Sequence, residues 1–137
     1  MSRQEEDELL RSPQIGVLAT ADARGRPEAS PVWYDYDGSR VRILVLDTSR
    51  KARNLRENPF ASLTVDTRTP PYKGVILRGH VTLSGPDPDL RRKLAERYLG
   101  PEKAARYIAA TSSLDERDVL ITLHVTSRFS WDYSKGL

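Results

Sequence analysis

Thr48, Ser49, Arg50 and Lys51 follow one another in the chain and lead into Ala52, Arg53, Asn54 and Leu55. Two hydroxyls ahead of a basic, helix-forming stretch can cap a helix by accepting from its free backbone N–H groups. The positive end of the helix dipole then sits where those hydroxyls and the Arg50 and Lys51 side chains converge. A phosphate group suits such a cluster. Arg presents a planar fork and Lys a point charge, so the two together can grip several oxygens. The same stretch also fits a surface helix whose cations are merely solvated.

The elements around this cluster must place it. An apolar strand, residues 40–46, runs into it, and Asn58-Pro59 closes the helix before a second strand, Phe60–Asp66. Upstream, Ser2 followed by Glu5 predicts a capping box. It opens a short amphipathic helix that buries Leu9 and Leu10 and ends near Arg11-Ser12-Pro13. Residues 15–20 predict a strand, and Gly25 a turn. Residues 28–36 are one extended stretch, with Pro31 pointing to an edge or bulge. Asp37-Gly38 is a hairpin signal.

Downstream, residues 72–84 predict a long strand. Gly79 inside it marks a bulge or bend. Two helices follow, one after Asp89 and one over residues 102–110, with the basic residues of the first on a solvated face. Residues 119–126 form the last core strand, and an aromatic extended tail continues through Phe129, Trp131 and Tyr133. About six strands joined mostly by tight connections argue an antiparallel sheet closing toward a barrel. A parallel sheet would need a crossover after most strands.

Composition narrows the function. The 137 residues predict a single domain over 1–137, with 38% hydrophobic and 30% charged residues, as a soluble globular chain has. No run approaches the ~18 apolar residues of a membrane helix. The acidic start of the chain lacks a signal-peptide core, so the expectation is a cytoplasmic protein without membrane contact. The absence of cysteine excludes disulfides, thiolate metal sites and a cysteine nucleophile. The two histidines, His80 and His124, lie in strand-like runs and predict no metal site. The net charge of +3 comes from scattered residues, which suits a small anionic ligand better than nucleic acid. Asp35 and Asp132 read as exposed polar residues. Tyr34, Tyr36 and Tyr72 are the phenols that could donate a proton.

Several pieces stand in order along the chain: the strand Ile15-Gly16-Val17-Leu18-Ala19-Thr20, the turn Gly25-Arg26-Pro27, and Ser30-Pro31-Val32-Trp33-Tyr34. Then come Arg50-Lys51-Ala52-Arg53-Asn54-Leu55 with Asn58-Pro59, and Leu77-Arg78-Gly79-His80-Val81. In this order they resemble the pyridoxamine-5'-phosphate-oxidase-like family of flavin and deazaflavin proteins, over about residues 15–133. The resemblance implies a mainly β (α+β) fold: a six-stranded antiparallel split β-barrel with short peripheral helices. It implies a homodimer with cofactor sites at the interface, and an oxidoreductase acting on a small molecule. Coenzyme F420 is the cofactor favoured by the Lys51-Ala52-Arg53-Asn54-Leu55 form, and FMN is the alternative. By the same resemblance Arg50 and Lys51, aided by Thr48 and Ser49, hold the phosphate. Ala29, Ser30, Pro31, Val32 and Trp33 run along the ring. Asn54, Arg78 and Trp131 add contacts, and the tail closes the neighbouring subunit's site. The second cluster of arginines and histidine that vitamin B6 oxidation requires near the C-terminus is missing. A non-catalytic cofactor binder is the reading from another class.

Overall fold

The computed structural model describes residues 1–136, which form seven strands and four α-helices with two short 3-10 turns. In α1 (Arg3–Arg11) the Ser2 hydroxyl accepts from the Glu5 N–H and the Glu5 carboxylate from the Ser2 N–H, the predicted capping box. Strand β1 (Gly16–Ala21) turns at Gly25, where φ is +79°, into β2 (Pro27–Val32). Trp33 and Tyr34 lead to β3 (Asp35–Tyr36), which turns at Asp37-Gly38 into β4 (Arg40–Leu46). Helix α2 (Arg50–Glu57), β5 (Phe60–Asp66) and β6 (Lys73–Ser84) follow. A hairpin of α3 (Pro88–Leu99) and α4 (Pro101–Ala110) precedes the long β7 (Asp118–Asp132).

The strands pair in the order β2-β1-β5-β6-β7-β4-β3, every pair antiparallel. The two edge strands, β2 and β3, are therefore neighbours in sequence. In a flat sheet six interstrand spacings of about 4.8 Å would part them by about 29 Å. Three Cα steps of about 3.8 Å, from Val32 to Asp35, reach only about 11 Å. The sheet must curl until its edges meet, and the result is a half-barrel. This also corrects the strand count from six to seven. The extended stretch over residues 28–36 breaks at Trp33-Tyr34, because its two halves serve opposite edges.

Inward positions on alternating residues fill the barrel. Leu18, Ile43, Leu63, Leu77, Ile121 and Leu123 are fully buried. Pro31 lies on edge strand β2, as a residue without an N–H must. The register slips between Arg78 and Gly79. A Cβ at Gly79 would overlap the His124 carbonyl, so only glycine fits this bulge.

Burial overturns three expectations from sequence. Asp35 is buried between Arg42 (2.8 Å) and Lys93 (3.0 Å). Arg91 is buried against Asp115. Arg97 donates to the carbonyls of Leu10, Arg11 and Ser12. The basic residues of α3 thus include the ties that hold the hairpin to the barrel. His80 and His124 are cross-strand partners with stacked rings 4.7 Å apart. Among the described residues no helix is long and apolar enough to cross a membrane.

Candidate functional site

Strand β4 delivers the chain to α2 through a tight turn in which the Ser49 N–H donates to the Leu46 carbonyl (3.0 Å). Ser49 is the cap: its hydroxyl accepts from the Ala52 N–H at 3.2 Å. Thr48 is exposed and makes no cap bond. Ala52 and Leu55 are buried and fix the axis of the helix. The first turn of α2 carries no acidic residue, so its positive end is not neutralised from within. Arg50 is exposed and Lys51 half-buried, and neither has an ion-pair partner among the described residues.

Beside this helix start lies a hollow of about 430 Å3, within the range of about 300–1,000 Å3 typical of small-molecule sites. Pro31, Val32 and Trp33 line it from the end of β2, and Leu44, Val45 and Leu46 from the end of β4. Ser49 and Lys51 reach it from α2. The α3–α4 hairpin contributes Arg91, Leu94 and Tyr107, and Asp118 opens β7 at its wall. Trp33 is held in place: its ring stacks on Tyr98 at 5.3 Å and meets Tyr107 at 5.4 Å.

Five of the residues singled out from sequence, Pro31, Val32, Trp33, Ser49 and Lys51, meet at this one hollow. Ala29 is exposed on β2, and the Ser30 Oγ is buried without any hydrogen-bond partner. Asn54 is turned inward, donating from Nδ2 to the Thr20 hydroxyl at 3.0 Å. It borders a smaller hollow of about 270 Å3 shared with Arg50, Asp22 and Arg26. Arg78 lies elsewhere, in an open depression of about 560 Å3 with Phe60 and His80. Trp131 is farther still, opposite Gly74 on the outer half of β7 and beside Phe129. Within one chain, Arg78 and Trp131 do not join the cluster.

Arg91, Leu94, Tyr107 and Asp118 are the site residues that sequence reasoning missed. Leu94 carried a signal as an apolar position of α3. Asp118 carried none, because its burial depends on the hairpin that covers it. Burial pushes the Asp118 carboxyl above its ordinary value, against the pull of Arg91. The Tyr34 phenol is no site acid. Burial drives it well up, and its O–H already donates to the Leu10 carbonyl at 2.7 Å. Tyr36 is similarly engaged, donating to Asp7 at 2.5 Å.

The family model described as pyridoxamine 5'-phosphate oxidase matches residues 2–132. The chain belongs to this family. Among curated relatives, the pyridoxine/pyridoxamine 5'-phosphate oxidase of Anaplasma phagocytophilum (strain HZ) is 31% identical over 119 residues, 82% of this chain and 54% of the relative. The chain therefore spans about half the length of the curated relative it matches. Among solved structures, the conserved hypothetical protein Rv2991 from Mycobacterium tuberculosis aligns with 100% of this chain and 89% of its own, at 26% identity and a TM-score of 0.80. A structure described as an F420 reductase aligns over 90% of this chain and 94% of its own, at 28% identity and a TM-score of 0.72. These likenesses accord with the curled antiparallel sheet and its short helices.

Proposed function

We propose that this chain is an oxidoreductase that uses coenzyme F420 for two-electron reduction of an unsaturated small molecule. One observation carries the reading. The capped, acid-free start of α2, with Lys51 unpaired at its wall, opens on an apolar hollow walled by Trp33, and Arg50 borders the smaller hollow at the same helix start. A phosphate and a flat ring need that combination: fixed positive donors at one end and apolar walls at the other. Similarity to the F420 reductase supports the deazaflavin, and similarity to the Anaplasma oxidase supports FMN as the alternative.

When bound, such a cofactor supplies the hydride chemistry. The chain's own residues bind and orient. Lys51, Arg50 and the free N–H groups of α2 hold the phosphate. The backbone from Ala29 to Trp33 runs along the ring. Val32, Leu44 and Leu94 keep water from the hollow. The protein acts as a homodimer in this reading. Phe60 is 62% exposed beside the depression that holds Arg78 and His80, an apolar surface suited to a second copy.

The test is a fluorescence titration of the purified protein with F420 and, separately, with FMN. Micromolar or tighter binding of F420 is expected. Tight binding of FMN alone moves the protein to flavin chemistry, and binding of neither overturns the reading.

A further inference from the structure

The hollow has a second polar end, distinct from the helix start. Asp118 begins β7 opposite Leu46 and lines the cavity. Its side chain is only 10% exposed. The nearest cation, Arg91 Nη1, stands 3.6 Å away, an ion-pair distance beyond a normal hydrogen bond. Arg91 is already engaged, with its Nε 2.7 Å from Asp115 and its other arm on Thr111. The buried carboxylates of Glu6 and Asp35 are closely bonded inside the fold. Glu6 accepts from Ser130 at 2.6 Å, and Asp35 from Arg42 at 2.8 Å. Among the described residues Arg91 is the ion-pair partner of Asp118, at that longer distance. A carboxylate held only at ion-pair distance keeps lone pairs for a further donor that enters the hollow.

The surroundings define what would satisfy it. Trp33 and Tyr107 give the hollow aromatic walls, with Val32, Leu44 and Leu94 beside them. A phosphate is repelled by a carboxylate and belongs with Lys51. We propose that Asp118 is a ligand-binding residue whose carboxylate accepts a hydrogen bond from an O–H or N–H on the edge of a flat, largely apolar ring compound. This rests on the reading above only in taking the hollow as the ligand site. The ring belongs to the cofactor or to the substrate, and the shared chemistry is the same.

Two probes isolate the bond: 2-naphthol and 2-methoxynaphthalene share a ring and differ in the hydroxyl donor. Calorimetry on the full chain is expected to give about tenfold tighter binding of 2-naphthol, the lower range for a hydrogen bond to a charged group. Asp118→Leu is expected to bind both probes equally, near the parent's affinity for the methoxy compound. Equal affinities in the parent, or a preference surviving in Asp118→Leu, overturns the proposal. Should that variant not fold, carboxyl-carbon NMR of the parent decides. A shift of the Asp118 resonance with 2-naphthol and not with 2-methoxynaphthalene is expected, and an unmoved resonance overturns the proposal. Saturating F420 or FMN separates the sources: displaced naphthol assigns the donor to the cofactor ring, and naphthol retained beside it assigns the donor to the substrate. Lys51→Ala keeps the two readings apart. It is expected to retain the naphthol preference, whatever it does to cofactor affinity.

Discussion

The Trp33 indole lies flat against the Tyr98 ring, with centroids 5.3 Å apart and planes 9° from parallel. The contact sits at the seam where the two edges of the sheet are joined. The Tyr98 hydroxyl accepts from the Tyr34 N–H at 3.2 Å and donates to the Gln14 carbonyl at 2.9 Å. One residue of α3 therefore supports the site tryptophan and satisfies the backbone of the break beside it.

Removing only that hydroxyl separates the two roles. In Tyr98→Phe the stack persists while the Tyr34 N–H loses its partner. The expected cost is about 1–3 kcal/mol of unfolding free energy, read from denaturant curves. Cofactor affinity is expected to stay near that of the parent, because Trp33 keeps its support. A variant as stable as the parent would refute the seam as the role of Tyr98.

Much of this architecture is legible in the sequence, because local chemistry dictates it. Ser2 and Glu5 specify the first cap, Asp37-Gly38 the hairpin, Gly79 a bulge or bend, and Thr48 or Ser49 the start of α2, of which the structure uses Ser49. The seventh strand is not legible, since β2 and β3 differ only in which edge they join, and sequence periodicity does not encode the partner. The same limit applies to the site. Ser49 and Lys51 share one short stretch and Trp33 lies in another, each with a strong local signal. Arg91 and Asp118 face the hollow because of how the α3–α4 hairpin folds back, a tertiary event that leaves charged residues looking like surface ones. Asn54 shows the converse: an amide in a ligand-like motif is taken up by Thr20 inside the fold.

The phosphate end is tested by charge removal. Arg50→Ala and Lys51→Ala each delete a cation without a protein partner, so neither should disturb the fold. Each is expected to weaken F420 or FMN binding by about tenfold or more, since a hydrogen bond to a charged group is worth about 1.5–3 kcal/mol. Their melting temperatures in the absence of cofactor should match the parent's within about 2 °C. Parent-like affinity in both variants would remove the phosphate from α2.

Asn54→Ala should do the opposite. It leaves the Thr20 hydroxyl unpaired in a buried position, and the expected loss of stability is about 1–3 kcal/mol. Phosphate affinity should change by less than about threefold, because the amide is committed to Thr20. A large loss of affinity with unchanged stability would return Asn54 to the ligand.

Asp35 gives the fold an acid limit. Burial works against its charge, but Arg42 and Lys93 outweigh that cost and hold the carboxyl below its ordinary range. A carboxyl whose folded pKa is depressed binds protons more readily in the unfolded chain. Its contribution is therefore complete above the unfolded value of about 3.9 and is lost as pH falls through the folded value. Unfolding free energy should be nearly flat from about pH 7 to 5 and should fall below about pH 4. Asp35→Asn should be less stable at pH 7 and should decline less steeply in acid. Some slope will remain, because Glu5 and Asp37 are each lowered to about 2. Asp35 of β3 pairs with Arg42 of β4 and with Lys93 of α3, so its protonation also loosens the hairpin that carries Arg91 and Leu94. Ligand affinity in the parent should weaken over the same acid range, and denaturant curves paired with titrations at each pH would read both. An acid slope in Asp35→Asn equal to the parent's would place the limit on other carboxylates.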